Sequence, residues 1–292
     1  CRSWVSSIPC FVAMPELPEV ETVMRGMSNA LQNRVIQHAT VHRHDLRWRI
    51  PASFSQTVSG RRIMGFRRRG KYILVRLSGE VSILLHLGMS GKIVLDSEST
   101  PAPHEHVTFL MHEGDRVAYV DPRRFGALGL VETAAEDTHP LLCGMGPEPL
   151  EPQFTAATLL AACADRKAPL KSVLLDQKIV AGLGNIYVAE ALYRADLHPA
   201  LPAASLTRPA AGKLVRAIRA VLNEAVEAGG SSLRDYVRPE GDMGYFQHAW
   251  RVYGRAGEPC PRCPGPPACA GVERMTQSGR SSFFCPRHQK SG

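Results

Sequence analysis

The sequence predicts a multidomain α+β protein: a β-sandwich with a flanking helix, then a helical domain, then a small cysteine-rich ribbon. Three observations carry this prediction. A helix-spaced apolar pattern around residues 18–31 gives way, from Val35 to about Val131, to short β-like runs. A Pro/Gly stretch, Gly144-Met145-Gly146-Pro147-Glu148-Pro149-Leu150, then separates those runs from a series of helical patterns. Cys260, Cys263, Cys269 and Cys285, half of the eight cysteines, crowd into the end of the chain. The length of 292 residues and a hydrophobic content of 44% allow a real core, which excludes a disordered or collagen-like chain. Apolar stretches break within about ten residues, too short to cross a bilayer. A net charge of +8 favours a polyanionic partner without identifying it. The grouped cysteines read as metal ligands in a reducing, cytoplasmic compartment rather than as a disulfide framework.

Taken in order, residues 1–13 match a signal peptide poorly, having one early Arg and no sustained apolar run. They read as an extension that the working protein lacks. The catalytic sandwich domain is expected over 14–143, a linker over 144–152, a helical domain over 153–250 and the ribbon over 251–290. Pro18 suits a first helical position, and Glu19 and Glu21 suit the first turn, where the helix dipole favours acids. Val20, Val23, Met24, Met27 and Leu31 recur at spacings of three and four, so Pro15 and Glu16 form a short lead-in to a buried helix. The runs at 73–77, 81–85 and 107–111 are β-like. Arg67-Arg68-Arg69-Gly70-Lys71-Tyr72 is the densest basic run, and for any one of its arginines a solvated strand end is the default. Gly182-Leu183-Gly184 is too short for a nucleotide-binding loop and reads as a tight turn, with Asn185 capping the next helix. Helices are expected over 154–164, 169–176, 186–195 and 209–228. Cys260-Pro261-Arg262-Cys263 and Cys285-Pro286-Arg287-His288 have the spacing of a tetrahedral Cys₃His zinc site, structural and closed. Cys269, in the long 264–284 gap, competes as a ligand.

Met14-Pro15-Glu16-Leu17-Pro18-Glu19-Val20-Glu21 resembles the amino terminus of the bacterial formamidopyrimidine-DNA glycosylase family (Fpg/Nei). The resemblance continues in order through His86-Leu87-Gly88-Met89-Ser90-Gly91, Asp121-Pro122-Arg123-Arg124-Phe125-Gly126, the 170–185 stretch and the cysteine-rich end. It implies a helix–two-turn–helix element in the helical domain. It implies an enzyme that removes oxidised purines, such as 8-oxoguanine and formamidopyrimidines, from duplex DNA and then cleaves the abasic site by β- and δ-elimination. It also implies one structural Zn²⁺, no redox cofactor, and a monomer that takes damaged double-stranded DNA as its partner.

The same resemblance assigns residues. Pro15 is the nucleophile, acting through the imino nitrogen left free when Met14 is removed. A terminal α-amine has a pKa near 8 against about 10.4 for Lys, so about a hundredfold more of it is unprotonated at neutral pH. Glu16 handles protons. Lys71 and Arg280 contact phosphates beside the lesion and aid elimination. Met89 and Phe125 fill the stack vacated by an everted nucleotide, and Arg123 faces the orphaned base. His104, Lys167, Lys171 and Asn185 lie on the DNA-binding face, the last three as phosphate contacts that set register rather than lesion choice. Residues 238–246 correspond to a loop that covers the everted base. The chain departs from the family at two places: Asp242-Met243 stands where Lys-Pro is frequent, and His288 stands where a fourth cysteine is usual. Leu17 argues against the endonuclease VIII group, which has Gly there. Two rivals from other classes are a catalytically silent zinc-ribbon DNA-binding protein, which would bind lesions without cutting, and an RNA-binding module, against which stands the lack of an aromatic stacking sheet.

Overall fold

The computed structural model describes residues 15–96, 103–229 and 250–291. The expected extension 1–13 and the loop 238–246 lie outside these residues. Helix α1 (Leu17–Leu31) buries Leu17, Val20, Val23, Met27 and Leu31 on one face, the stripe its spacing predicts. Its start is a reciprocal capping box. The Glu16 carboxylate accepts from the backbone at position 19, and the Glu19 carboxylate accepts the Glu16 N–H at 2.9 Å.

Two four-stranded antiparallel sheets follow, built from β1 (Ile36–Val41), β2 (Ile63–Arg69), β3 (Tyr72–Leu77), β4 (Val81–His86), β5 (Lys92–Asp96), β6 (Glu105–Met111), β7 (Arg116–Val120) and β8 (Ala127–Glu132), with a short helix α2 (Phe54–Val58) after β1. Their strand orders are β1-β6-β7-β5 and β2-β3-β4-β8. The sandwich interior takes Ile73, Val75, Ile83, Leu85, Val117 and Leu128 together with the inner face of α1. The opposite face of β3 and β4 is not left to water: Tyr72, Leu74 and Leu84 pack against Val131 and Leu142. Being covered on both faces is why these strands read as continuous apolar runs rather than as alternation. Each such Leu or Val contributes about 1.5–3 kcal/mol of burial.

A 3₁₀ turn (Thr133–Thr138) leads into the Pro/Gly linker, which is fastened down rather than left as a loose hinge. Glu148 accepts from Arg68 at 2.5 Å, from Arg69 at 3.0 Å and from the Gly70 N–H at 2.6 Å, while Arg68 also donates to Glu21 on α1 at 2.7 Å. Arg67 pairs with Glu136 and Asp137. The basic run of β2 is thus neutralised by acids from the 3₁₀ turn, the linker and α1, a different outcome from solvated strand ends.

Helices α3 (Ala156–Cys163), α4 (Leu170–Leu175), α5 (Asn185–Ala195) and α6 (Arg208–Glu227) surround a second apolar core, into which Leu17 of α1 also inserts. Their bounds fall within a residue or two of the periodic patterns. Gly184, not Asn185, occupies the capping position of α5, and Asn185 is its first helical residue. That corrects the capping role expected of Asn185: its amide is committed elsewhere, as described below. The final hairpin is β9 (Glu273–Gln277) and β10 (Arg280–Phe284), joined at Ser278 and Gly279, both of positive φ, which is the backbone a two-residue hairpin turn requires. It docks through Phe283 and Cys285 onto Tyr193 of α5. Among the described residues no helix is long and apolar enough to cross a membrane.

Candidate active site and DNA-facing surface

The start of α1 is pushed into the start of α5. The Leu17 N–H donates to the Gly182 carbonyl at 3.1 Å. The Glu16 carboxylate accepts from the Ile186 N–H at 3.0 Å and from the Tyr187 N–H at 3.4 Å. These are the orphan donors of a helix N-terminus, and they satisfy a buried acid. A Cβ on Gly184 would fall inside the Glu16 carboxyl group, and one on Gly182 (φ +82°) would press on Leu17 at 2.8 Å. The two glycines therefore exist to let Glu16 and Leu17 in. Gln177 shapes the turn, accepting from the Gly182 N–H at 2.8 Å and donating to the Leu183 carbonyl at 2.9 Å.

Glu16 is 2% exposed, and burial pushes its carboxyl up to about 7, with Glu19 adding to the rise while Lys71 and the two α5 N–H groups oppose it. Burial lowers Lys71 from the ordinary lysine value; Glu16 and Glu19 counter this and Arg280 adds to it. The site thus holds an acid that exchanges its proton near neutrality beside an ammonium with a lowered affinity for its own. Glu19, which periodicity marked only as a first-turn acid, is buried between the Glu16 N–H and the Tyr187 hydroxyl, which donates to it at 2.5 Å. Pro15, immediately before Glu16, is buried at the same junction. A cavity of about 350 Å³ opens alongside, lined by Arg47, Lys71, Tyr72, His86, Met145 and Lys178. His86 is held neutral well below the usual imidazole range, at about 4, by burial and by Arg47 and Lys71, and its Nδ1 accepts the Gly88 N–H at 2.9 Å.

The hairpin reaches this junction from the other side. Lys171 is 1% exposed, with its ammonium donating to the Ser281 carbonyl and to the Ser282 hydroxyl, both at 2.7 Å. Burial and the nearby Arg280 lower it to about 8. The Asn185 amide donates to the same Ser281 carbonyl at 3.0 Å, leaving its Oδ1 buried without a hydrogen-bond partner. Lys171 and Asn185, expected as phosphate contacts, therefore anchor the hairpin that carries exposed Arg280. Any phosphate they touch must share them with Ser281. Lys167 is exposed in the segment between α3 and α4.

Met89, Arg123 and Phe125 come together on two loops of the sandwich. A Cβ on Gly88 (φ +65°) would overlap the Phe125 carbonyl, so the 86–91 and 121–126 loops meet backbone to backbone. Asp121, wholly buried, organises them: it accepts from Ser90 Oγ at 2.5 Å and from the Gly126 N–H at 2.8 Å, while the Arg123 N–H donates to Ser90 Oγ at 3.1 Å. On this rigid base Phe125 stands 45% exposed, with the Arg123 guanidinium 5.0 Å from its ring centre, and Met89 is half-buried on the facing loop. His104 is exposed at positive φ, and its carbonyl accepts the Asp121 N–H at 3.0 Å, so its backbone braces the same platform.

At the ribbon, donor atoms of Cys260, Cys263, Cys285 and His288 all lie within 4.8 Å of one another. The Cys263 and Cys285 sulfurs are 3.6 Å apart, close to the roughly 3.8 Å edge that Zn–S bonds of about 2.3 Å give a tetrahedron. The His288 Nε2 lies 3.3 Å from the Arg262 carbonyl, an orienting contact of the kind that fixes a ligating imidazole. The donor set fits a closed structural zinc site. Gln289 locks the end of the ribbon, accepting from the Cys285 N–H and donating to the Leu197 carbonyl.

A buried proton-exchanging acid, a lysine of lowered pKa and the Arg280 hairpin thus meet between the two domains. The formamidopyrimidine-DNA glycosylase N-terminal domain matches residues 14–128, and the H2TH domain of the same family matches residues 145–237. The chain belongs to the formamidopyrimidine-DNA glycosylase family. It is 58% identical over 277 residues to a formamidopyrimidine-DNA glycosylase of Acidiphilium cryptum and 53% identical over 287 residues to one of Paracoccus denitrificans, covering 95% of this chain and 100% of each relative. Among solved structures it resembles the MutM (Fpg) protein of Thermus thermophilus, with a TM-score of 0.82 at 42% identity. It also resembles Lactococcus lactis Fpg bound to abasic-site DNA, with a TM-score of 0.86 at 31% identity. These matches cover 95% and 94% of this chain and 100% of each of those chains.

Proposed function

We propose that this chain removes oxidised purines from duplex DNA and cleaves the resulting abasic site through a Schiff base on Pro15. The observation that carries the reading is the buried Glu16 carboxyl, held at about 7 on the α5 N-terminus next to Lys71 and directly after Pro15. Neutral Glu16 donates a proton to the sugar oxygen or the departing base as the Pro15 nitrogen bonds to C1′ and the base leaves with the glycosidic electron pair. The ammonium so formed loses its N–H proton, and cleavage of the C1′–O4′ bond, its electron pair going to the protonated ring oxygen, opens the sugar to a cationic iminium; loss of a C2′ proton then expels the 3′ phosphate, with δ-elimination expelling the 5′ phosphate. Ionised Glu16 or neutral Lys71 accepts such a proton, and their opposed pKa shifts suit them to it. Lys71 and Arg280 hold phosphates flanking the lesion. Met89 and Phe125 fill the stack, and Arg123 faces the widowed base. Complexes of related enzymes with DNA containing carbocyclic 8-oxo-G, Fapy-dG or an abasic site support this substrate class. A zinc ion held by the ribbon would supply only a fold-organising charge that keeps the hairpin in register.

The chemistry needs a free amine at Pro15, so the working form begins at Pro15. Borohydride trapping on an 8-oxoguanine duplex, with intact-mass analysis of the same sample, tests this. A covalent adduct is expected from protein starting at Pro15 and none from protein still carrying Met14. An adduct or incision by the extended form would sink the reading.

A further inference from the structure

The insertion between the two ligand pairs carries a fifth donor in position to bind. The Cys269 sulfur lies 3.7 Å from that of Cys285, nearly the separation of Cys263 from Cys285 and also close to a tetrahedral zinc–thiolate edge of roughly 3.8 Å. Cys269 also interacts directly with Cys263, and Cys260 with both Cys263 and Cys285. Cys269 is 5% exposed and shares a small core with Cys260, Val272, Phe283 and Cys285, whereas His288 is only half-buried, at the rim. Its placement is built into the backbone. The Cys269 N–H donates to the Gly265 carbonyl at 3.1 Å. The Gly257 N–H donates to the Val272 carbonyl and the Val272 N–H to the Glu258 carbonyl, which returns the insertion onto the 257–258 turn. Gly271 sits there at φ +119°, where a Cβ would press on the Glu258 carbonyl at 2.5 Å. Hydrogen-bond donors surround the Cys260 and Cys285 sulfurs. The Tyr193 hydroxyl is 3.3 Å from Cys260 Sγ, and backbone N–H groups of Arg262, Arg287 and His288 point at the Cys260 and Cys285 sulfurs.

We infer that Cys269 is the fourth zinc ligand of this chain, completing a Cys260–Cys263–Cys269–Cys285 set, and that His288 is an outer donor that enters the shell only when Cys269 is removed. The inference rests on the zinc reading above. It is tested by X-ray absorption at the zinc edge on the full chain loaded with zinc, with metal content measured on the same samples. The wild-type shell is expected to fit sulfur alone at about 2.3 Å, and Cys269→Ser is expected to lose one sulfur and gain one nitrogen at about 2.0–2.1 Å. His288→Ala is expected to leave the sulfur-only shell as it is. A wild-type shell of three sulfurs and one nitrogen overturns the role of Cys269 while leaving zinc binding intact, and so does loss of the nitrogen in His288→Ala. Failure of the wild-type chain to hold stoichiometric zinc overturns the zinc reading itself, and this inference with it.

Discussion

Replacing Glu16 by Gln removes the exchangeable proton while nearly keeping the shape. The amide oxygen of the substituted side chain can still accept the Ile186 N–H, but its NH₂ would then face the Tyr187 N–H, a donor facing a donor. The lost acceptor costs about 1–3 kcal/mol. Against this stands the charge. Glu16 is raised from 4.5 to about 7 in the fold, so the folded protein binds its proton more tightly than the unfolded chain does. The wild type therefore has its full stability below pH 4.5 and loses it as the pH rises to about 7, by about 3 kcal/mol in all. The variant carries no such group. Relative to wild type, Glu16→Gln should therefore be less stable at pH 5 and should draw level or pass it at pH 8. Denaturant unfolding of both proteins at the two pH values measures this. Single-turnover base release should fall by about 10²–10⁴ at neutral pH, the usual weight of a positioned acid. A stability difference that does not change between pH 5 and 8 would refute the buried-acid argument, because the carboxyl would then titrate alike in both states.

The remaining predictions concern the neighbours of that acid. Gly184→Ala should displace the Glu16 carboxyl from the α5 N-terminus and cut base release by at least about tenfold while the circular dichroism of the helices is kept; unaltered turnover would show that the close approach is dispensable. Lys171→Met should free the Ser281 carbonyl and Ser282 hydroxyl, lowering stability by about 1.5–3 kcal/mol through loss of charged hydrogen bonds, and should weaken DNA binding by loosening the Arg280 hairpin, measured by melting and by fluorescence anisotropy. Phe125→Ala should leave the melting temperature near wild type, since the residue is exposed and outside the cores, yet slow lesion eversion in a duplex more than cleavage of a preformed abasic site. Chelation of zinc from the protein loaded with it should abolish DNA affinity while the near-ultraviolet signal of the sandwich aromatics persists, because the two cores are separate.

Much of this protein was legible in one dimension. The α1 stripe, the strands on either side of short turns, the helices after the Pro/Gly linker and the paired cysteines are local patterns, and local patterns report periodicity and turn chemistry directly. The motifs around Pro15, Met89, Phe125 and Arg280 are short runs of neighbouring residues, which a sequence displays whole. What no local pattern holds is the pairing of residues far apart in the chain. Glu16 is an acid near neutrality only because α5, about 170 residues later, closes a buried junction around it, where desolvation outweighs the two N–H groups that oppose the rise. Arg67, Arg68 and Arg69 looked like a basic surface, and it took Glu136, Asp137 and Glu148 to neutralise them. Asn185 read as a cap and Lys171 as a phosphate hand, yet the hairpin claims both through Ser281. Sequence alone thus determined which side chains were available and which elements carried them. The tertiary structure decided their charge states and partners, because desolvation and hydrogen bonding depend on what the rest of the chain packs against each group.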